Sequence, residues 1–143
     1  MKRLYPIFLL LFASSFLSCK KFIQQQEEKA ALSIMTNGVW YVQLYQQNDS
    51  DITASFSGYL FKFDADGIVT GTKDSVSSKG TWSTNIAAKS IVTDFPAAAV
   101  PVKYLNETWK ITDSYTDSVV ASSKDSVNNT SNILHLLKYE LII

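Results

Sequence analysis

The sequence predicts an all-β domain, an antiparallel barrel or sandwich, behind one short helix. Eight runs rich in β-branched and aromatic residues (39–45, 56–63, 68–73, 80–84, 86–93, 104–112, 118–122 and 133–141) recur at regular spacing with turn residues between them. Within most of them apolar and polar residues alternate, the mark of half-buried strands. No long helical pattern lies between the runs, which argues against parallel βαβ units.

The chain opens differently. Lys2 and Arg3 precede an apolar stretch over 6–12, followed by Ala13, Ser14, Ser15, Phe16, Leu17, Ser18 and Cys19. A positive start, an apolar middle and a small residue at the cut describe a secretory leader. The apolar part is too short and too serine-rich to span a membrane as a helix. The expected organisation is a signal peptide over 1–18, a tether and short helix over 19–36, and one β domain over 37–143. Ala30, Ala31, Leu32 and Met35 favour the helix, and Asn37-Gly38 stops it.

Each β element has its own signal. In 39–45 the even positions Trp40, Val42 and Leu44 are expected to face inward. In 56–63, Tyr59, Phe61 and Phe63 share one face and Phe56 falls on the other, so a bulge is expected at Gly58. Asp64-Ala65-Asp66-Gly67 reads as a hairpin turn with glycine at the position that needs positive φ. The runs 68–73 and 80–84 pair across a loop over 74–79. Phe95 to Pro101 is a loop of unusual apolarity. In 104–112 the apolar face carries Leu105, Trp109 and Ile111, with Glu107 on the same side. In 133–141, His135 alternates with Ile133, Leu137 and Tyr139 and is expected to face inward.

Composition excludes several functions. The mature chain holds no arginine, since Arg3 lies in the leader, and its scattered lysines are set against 13 acids. Phosphate neutralisation supplies most nucleic-acid affinity, so no nucleic-acid partner is expected. One histidine and one cysteine leave no zinc set, and Asp64-x-Asp66-Gly67 lacks the distal glutamate of a calcium loop. No metal or cofactor is expected. No Gly-x-Ser-x-Gly elbow is present, so no catalytic residue is assigned and an enzyme is not expected. With one cysteine, no intrachain disulfide forms, and the fold rests on packing rich in aromatics.

Two resemblances add to this. Ser18-Cys19 after the apolar run resembles a bacterial lipoprotein signal, with Phe16 and Leu17 in place of the commoner residues. It implies lipidation of the Cys19 thiol, acyl chains such as palmitate, and anchoring in the cell envelope at the outer membrane, on the periplasmic or surface side. Lys20-Lys21 beside the anchor reads as a solvated linker, with a weak attraction to anionic head groups as the alternative. Gly38-Val39-Trp40 opening the first strand after a short helix, Gly80-Thr81-Trp82, Trp109 and the closing run 133–138 together resemble the small lipocalin-like lipoproteins of Gram-negative bacteria, over about residues 36–141. That implies an eight-stranded up-and-down barrel, with Gly38 and Trp40 structural at its base, whose interior holds one small ligand. The chain departs from lipocalins in lacking the late arginine that stacks on the first tryptophan; Lys138 is the nearest basic residue.

The expected function is a lipid-anchored, monomeric binding module for a small hydrophobic or amphipathic molecule. Trp82, Trp109, Tyr59, Phe61 and Phe63 would line the site, with the 95–101 loop as a lid. Glu107 either orients a ligand or is turned to solvent by a twist or bulge, the preferred reading. His135 is first a hydrogen-bonded core residue and second a ligand contact. The alternative is a solid barrel that presents loops to another envelope protein or a glycan. Asp74-Ser75-Val76, Asp117-Ser118-Val119 and Asp125-Ser126-Val127 repeat one tripeptide, which reads as turn chemistry or as an O-glycosylation sequon.

Overall fold

The structure, a computed structural model, describes the backbone of residues 5–140 and the side chains of residues 20–140. Helix α1 (Tyr5–Thr36) leads into nine strands: β1 (Trp40–Gln47), β2 (Ser50–Asp51), β3 (Leu60–Phe63), β4 (Ile68–Lys73), β5 (Val76–Asn85), β6 (Ser90–Asp94), β7 (Thr108–Ser114), β8 (Ser118–Asp125) and β9 (Thr130–Lys138). Neighbours pair antiparallel, and β9 returns to β1 through seven residue pairs from Trp40↔Lys138 to Gln47↔Asn132. With β2 a two-residue extension of the β1 edge, the sheet is a closed eight-stranded antiparallel barrel. A closed sheet leaves no long edge to aggregate.

The seams are unequal. β1 meets β3 at one pair, Trp40↔Phe61. Above it, the 3₁₀ turn Thr53–Phe56 covers the β1 edge: Ile52 N donates to Tyr45 O, and Tyr45 N donates to Thr53 Oγ1, both at 2.9 Å. β6 and β7 share three pairs, from Ser90↔Lys110 to Val92↔Thr108.

Several elements differ from the sequence expectation. The segment 19–36, expected as a tether and short helix, lies wholly within α1; Lys, Gln, Glu, Ala and Leu are all good helix formers. Residues 20–30 are exposed throughout, about 16 Å of helix at 1.5 Å per residue, and only the end of α1 docks on the barrel through Leu32, Ile34 and Met35. Phe56 belongs to the 3₁₀ turn, and Gly58 (φ +83°) sits in the turn before β3 rather than in a bulge. The irregularity falls instead between Val42 and Leu44, where the register to β9 shifts. It turns Tyr45 inward beside Trp40 and Val42 and leaves Leu44 half-buried. The loop expected over 74–79 shrinks to the turn Asp74-Ser75, while residues 86–89, expected as strand, are a turn. Tyr104 and Leu105 form a second 3₁₀ turn (Val102–Leu105) after Pro101, ahead of β7. Leu141 lies outside the described residues.

The core lies inside the barrel. Trp40 and Tyr45 are fully buried, with Phe61, Phe95, Val69 and Val102 nearly so. All three Asp-Ser-Val copies sit at turns; Asp125 Oδ1 accepts from Val127 N and Asn128 N, which is local turn chemistry.

Candidate functional site

The aromatics expected to wall a pocket instead fill the barrel. Phe61, Phe63 and Trp109 border a void of about 30 Å³, with Val69, Leu134 and Leu136 among its other walls. That is room for about two water-sized spheres, far below the few hundred Å³ of a ligand pocket. Trp82 lies edge-on to Phe63 at 5.2 Å between ring centres, and its indole N–H donates to Asp64 O at 2.8 Å. It does not border the void. Tyr59 is half-buried and stacks on Phe61 at 6.1 Å, with Lys73 Nζ 5.3 Å over its ring. The expectation of a ligand-sized interior pocket is therefore corrected: large rings on facing strands meet across a small barrel and leave only this void between them.

The upper end is plugged, and the apolar 95–101 loop is the plug. Phe95 turns into the core edge-on to Phe61. Asn106 clamps the loop: its Oδ1 accepts from Phe95 N at 2.6 Å and its Nδ2 donates to Phe95 O at 3.2 Å. Thr93 Oγ1 and Trp109 Nε1 both donate to Leu105 O. Tyr45 stacks on Phe56 at 5.2 Å, meets Trp109 edge-on at 5.8 Å, and donates its hydroxyl to Tyr104 O at 2.7 Å. Burial pushes the Tyr45 hydroxyl well above the usual phenol range, with Glu107 adding to it.

Glu107 precedes β7 and is half-buried beside this plug. Burial, then the negative charge of Asp125, raises its carboxyl above the usual glutamate range. The sign follows. A raised folded-state pKa means the ionised form costs stability above the ordinary glutamate pKa of about 4.3 and costs nothing well below it. Glu107→Gln is expected to raise the melting temperature at pH 7 and to match the parent near pH 3. The gain stays below about 1 kcal/mol, because much of the side chain is solvated. Melting curves across that range check it.

His135 corrects a second expectation. The inward residues of β9 are Asn132, Leu134 and Leu136, all buried; Ile133 and Tyr139 are exposed, and His135 lies half-buried on the outer face between Leu44 and Val120. Both faces of this strand carry apolar residues, so hydropathy did not mark the inward phase. Asn132 is carried inward with it, donating from Nδ2 to Ser123 Oγ at 3.1 Å while its buried Oδ1 finds no partner among the described residues.

At the base, Gly38 and Trp40 lead the chain from α1 into β1. The Trp40 indole N–H donates to Met35 O at 2.9 Å, tying α1 to the barrel floor. Lys138 Nζ stands 5.4 Å over the Trp40 ring, a cation–π contact. Gly38 has φ +92°, which reverses the chain between α1 and β1.

Beside this base lies a cleft of about 440 Å³. Three features create it. β6 is short, so Thr112–Ser114 of β7 run past it without a partner strand on that side. β7 is bulged between Ile111 and Asp113. The end of α1 crosses in front and supplies Glu27, Ala31, Ile34 and Met35 as the opposite wall. The floor is apolar, with Ile86, Ile91, Ile111 and Val119; the rim carries Glu27, Lys89, Asp113, Thr84, Asn85 and Ser114. Apolar walls with a few polar groups at the mouth are the makeup of a small-molecule site. None of the ligand residues expected from sequence belongs to it. No motif marks a cleft formed by a helix end and two hairpins distant in sequence.

Among the described residues no group of three His, Cys, Asp or Glu could hold a metal, and no helix is long and apolar enough to cross a membrane. The Cys19 side chain lies outside the described side chains. No protein-family model and no curated protein matches the chain. Among solved structures it is similar to the crystal structure of a DUF4847 family protein from Bacteroides vulgatus ATCC 8482, at 13% identity and a TM-score of 0.55, covering 78% of this chain and 99% of that one. At that identity the likeness speaks for the barrel fold alone.

Proposed function

We propose that this chain is a lipid-anchored envelope protein, lipocalin-like in its barrel, that binds a small amphipathic molecule whose body lies in the basal cleft. The observation that carries this is the 440 Å³ cleft with an apolar floor and a polar rim, set against an interior with about 30 Å³ free. The leader ending at Cys19 supports anchoring by lipid on that thiol, at the outer membrane and facing the periplasm or the exterior. The exposed part of α1 then serves as a rigid spacer between membrane and barrel. The role is binding, without catalysis.

A second reading has its own support. A barrel filled by side chains and closed at the top by a clamped loop suits a solid module that presents its turns to another envelope protein or a glycan. Native mass spectrometry of the full protein extracted from its host envelope separates the two. We expect a chain beginning at Cys19 that carries acyl mass, with one small molecule bound noncovalently. An acylated protein that is always empty would favour the solid module, and an unmodified thiol would remove the anchor.

A further inference from the structure

We infer that the cleft and the internal void are two parts of one channel divided by the Met35 side chain, and that the channel takes a single unbranched alkyl chain with a neutral, hydrogen-bonding head. This rests on the basal cleft being the binding site.

The void and the cleft share four lining residues: Met35, Ile91, Ile111 and Val119. The partition between a space open to solvent and a space inside the barrel is therefore one side chain thick. Its members are not equally fixed. Ile91, Ile111 and Val119 are β-branched residues held on β6, β7 and β8, with χ1 restricted by the branch. Met35 is unbranched, stands in the last turn of α1, and has a flexible thioether side chain able to fill or vacate irregular space. Met35 is buried at 3% exposure, which makes it the stopper of the channel.

The same geometry selects the ligand. Behind Met35 the walls are Phe61, Phe63, Phe95 and Trp109, with Leu134 and Leu136, around a small void lined almost wholly by apolar side chains. Only the end of a narrow chain, with a cap no larger than a three-membered ring, fits there; a phenyl ring or a tert-butyl end stops at the cleft. At the mouth, Glu27 and Asp113 stand with Lys89, and Thr84, Asn85 and Ser114 add neutral donors and acceptors. A rim of mixed sign with amide and hydroxyl groups suits a sugar-like or zwitterionic head better than a strongly charged one.

The test uses the full-length protein and a decyl glucoside carrying a diazirine at its terminal carbon, below its micellar concentration. After photolysis, peptide mapping is expected to place the label on residues that border the void and not the cleft: Phe61, Phe63, Leu134 or Leu136. Met35→Leu nearly conserves volume and so keeps the fold. Its stiffer branched side chain is expected to cut that interior label several-fold while label in the cleft persists. In parallel, affinity is expected to rise about fourfold per methylene from hexyl through octyl to decyl glucoside. Label confined to Ile34 and Ile86 would overturn the channel and leave the cleft reading standing. Equal interior label in the parent and Met35→Leu would overturn Met35 as the divider. No label above background would sink the channel and the cleft together.

Discussion

Trp40→Ala is expected to destabilise the protein by about 3–5 kcal/mol, the range for removing a large buried ring from a well-packed core. The melting temperature should fall by roughly 10–20 °C. Trp40 is fully buried, and three attachments converge on it. Its indole holds the end of α1 through Met35 O, its ring carries the Lys138 ammonium, and its backbone forms the one β1–β3 pair. Trp40→Phe keeps most of the apolar volume and loses the indole N–H, so it should lose clearly less, the hydrogen bond itself contributing about 1 kcal/mol. Calorimetry of the three proteins reads the order. A Trp40→Ala variant that melts within two or three degrees of its parent would mean that the base of the barrel is held by something else.

Gly80→Ala is the second large effect. Gly80 pairs with Val69 in the middle of the sheet and has an ordinary extended backbone. The need for glycine comes from space: a Cβ there would overlap the Asp94 carbonyl oxygen and meet the Phe95 ring at 2.8 Å. A side-chain neighbour can turn away, but a backbone oxygen at the start of the clamped 95–106 loop moves only if the loop moves. The expected cost is at the upper end of overpacking, about 3 kcal/mol, read as a lower urea midpoint with an unchanged slope. Gly71→Ala is the comparison. There the Cβ would meet side-chain atoms alone, the edge of the Phe61 ring at 2.8 Å, and no backbone atom, so a smaller loss is expected. Equal losses at the two positions would argue against the Asp94 carbonyl as the cause.

Much of the fold was legible because the strands alternate cleanly. Tyr59, Phe61 and Phe63 share a face as their period predicts, and Asp64 to Gly67 form the expected turn. The failures have physical causes. The bulge near Gln43 leaves no composition signal, since a slip in register changes which side faces inward without changing residue types. In β9, Ile133, Leu134, Leu136 and Leu137 make both faces apolar, and the inward phase was misread with His135 on it. Whether Phe61 and Trp109 wall a pocket or fill it depends on how far apart opposite strands stand, a property of closure rather than of any local pattern. The cleft was invisible for a similar reason. Ile34, Ile86 and Ile111 come from a helix, a turn and a strand that only the finished barrel brings together.

The unequal seams carry a consequence for how this cylinder comes apart. Between β1 and β3 the ring is tacked by one stitch, whereas β1 and β9 are sewn along their full length. A tug transmitted down α1 arrives at Trp40, the residue that makes that stitch. A load applied along α1 is therefore expected to open the barrel first between β1 and β3, with β1 still bound to β9, an order that single-molecule pulling would read.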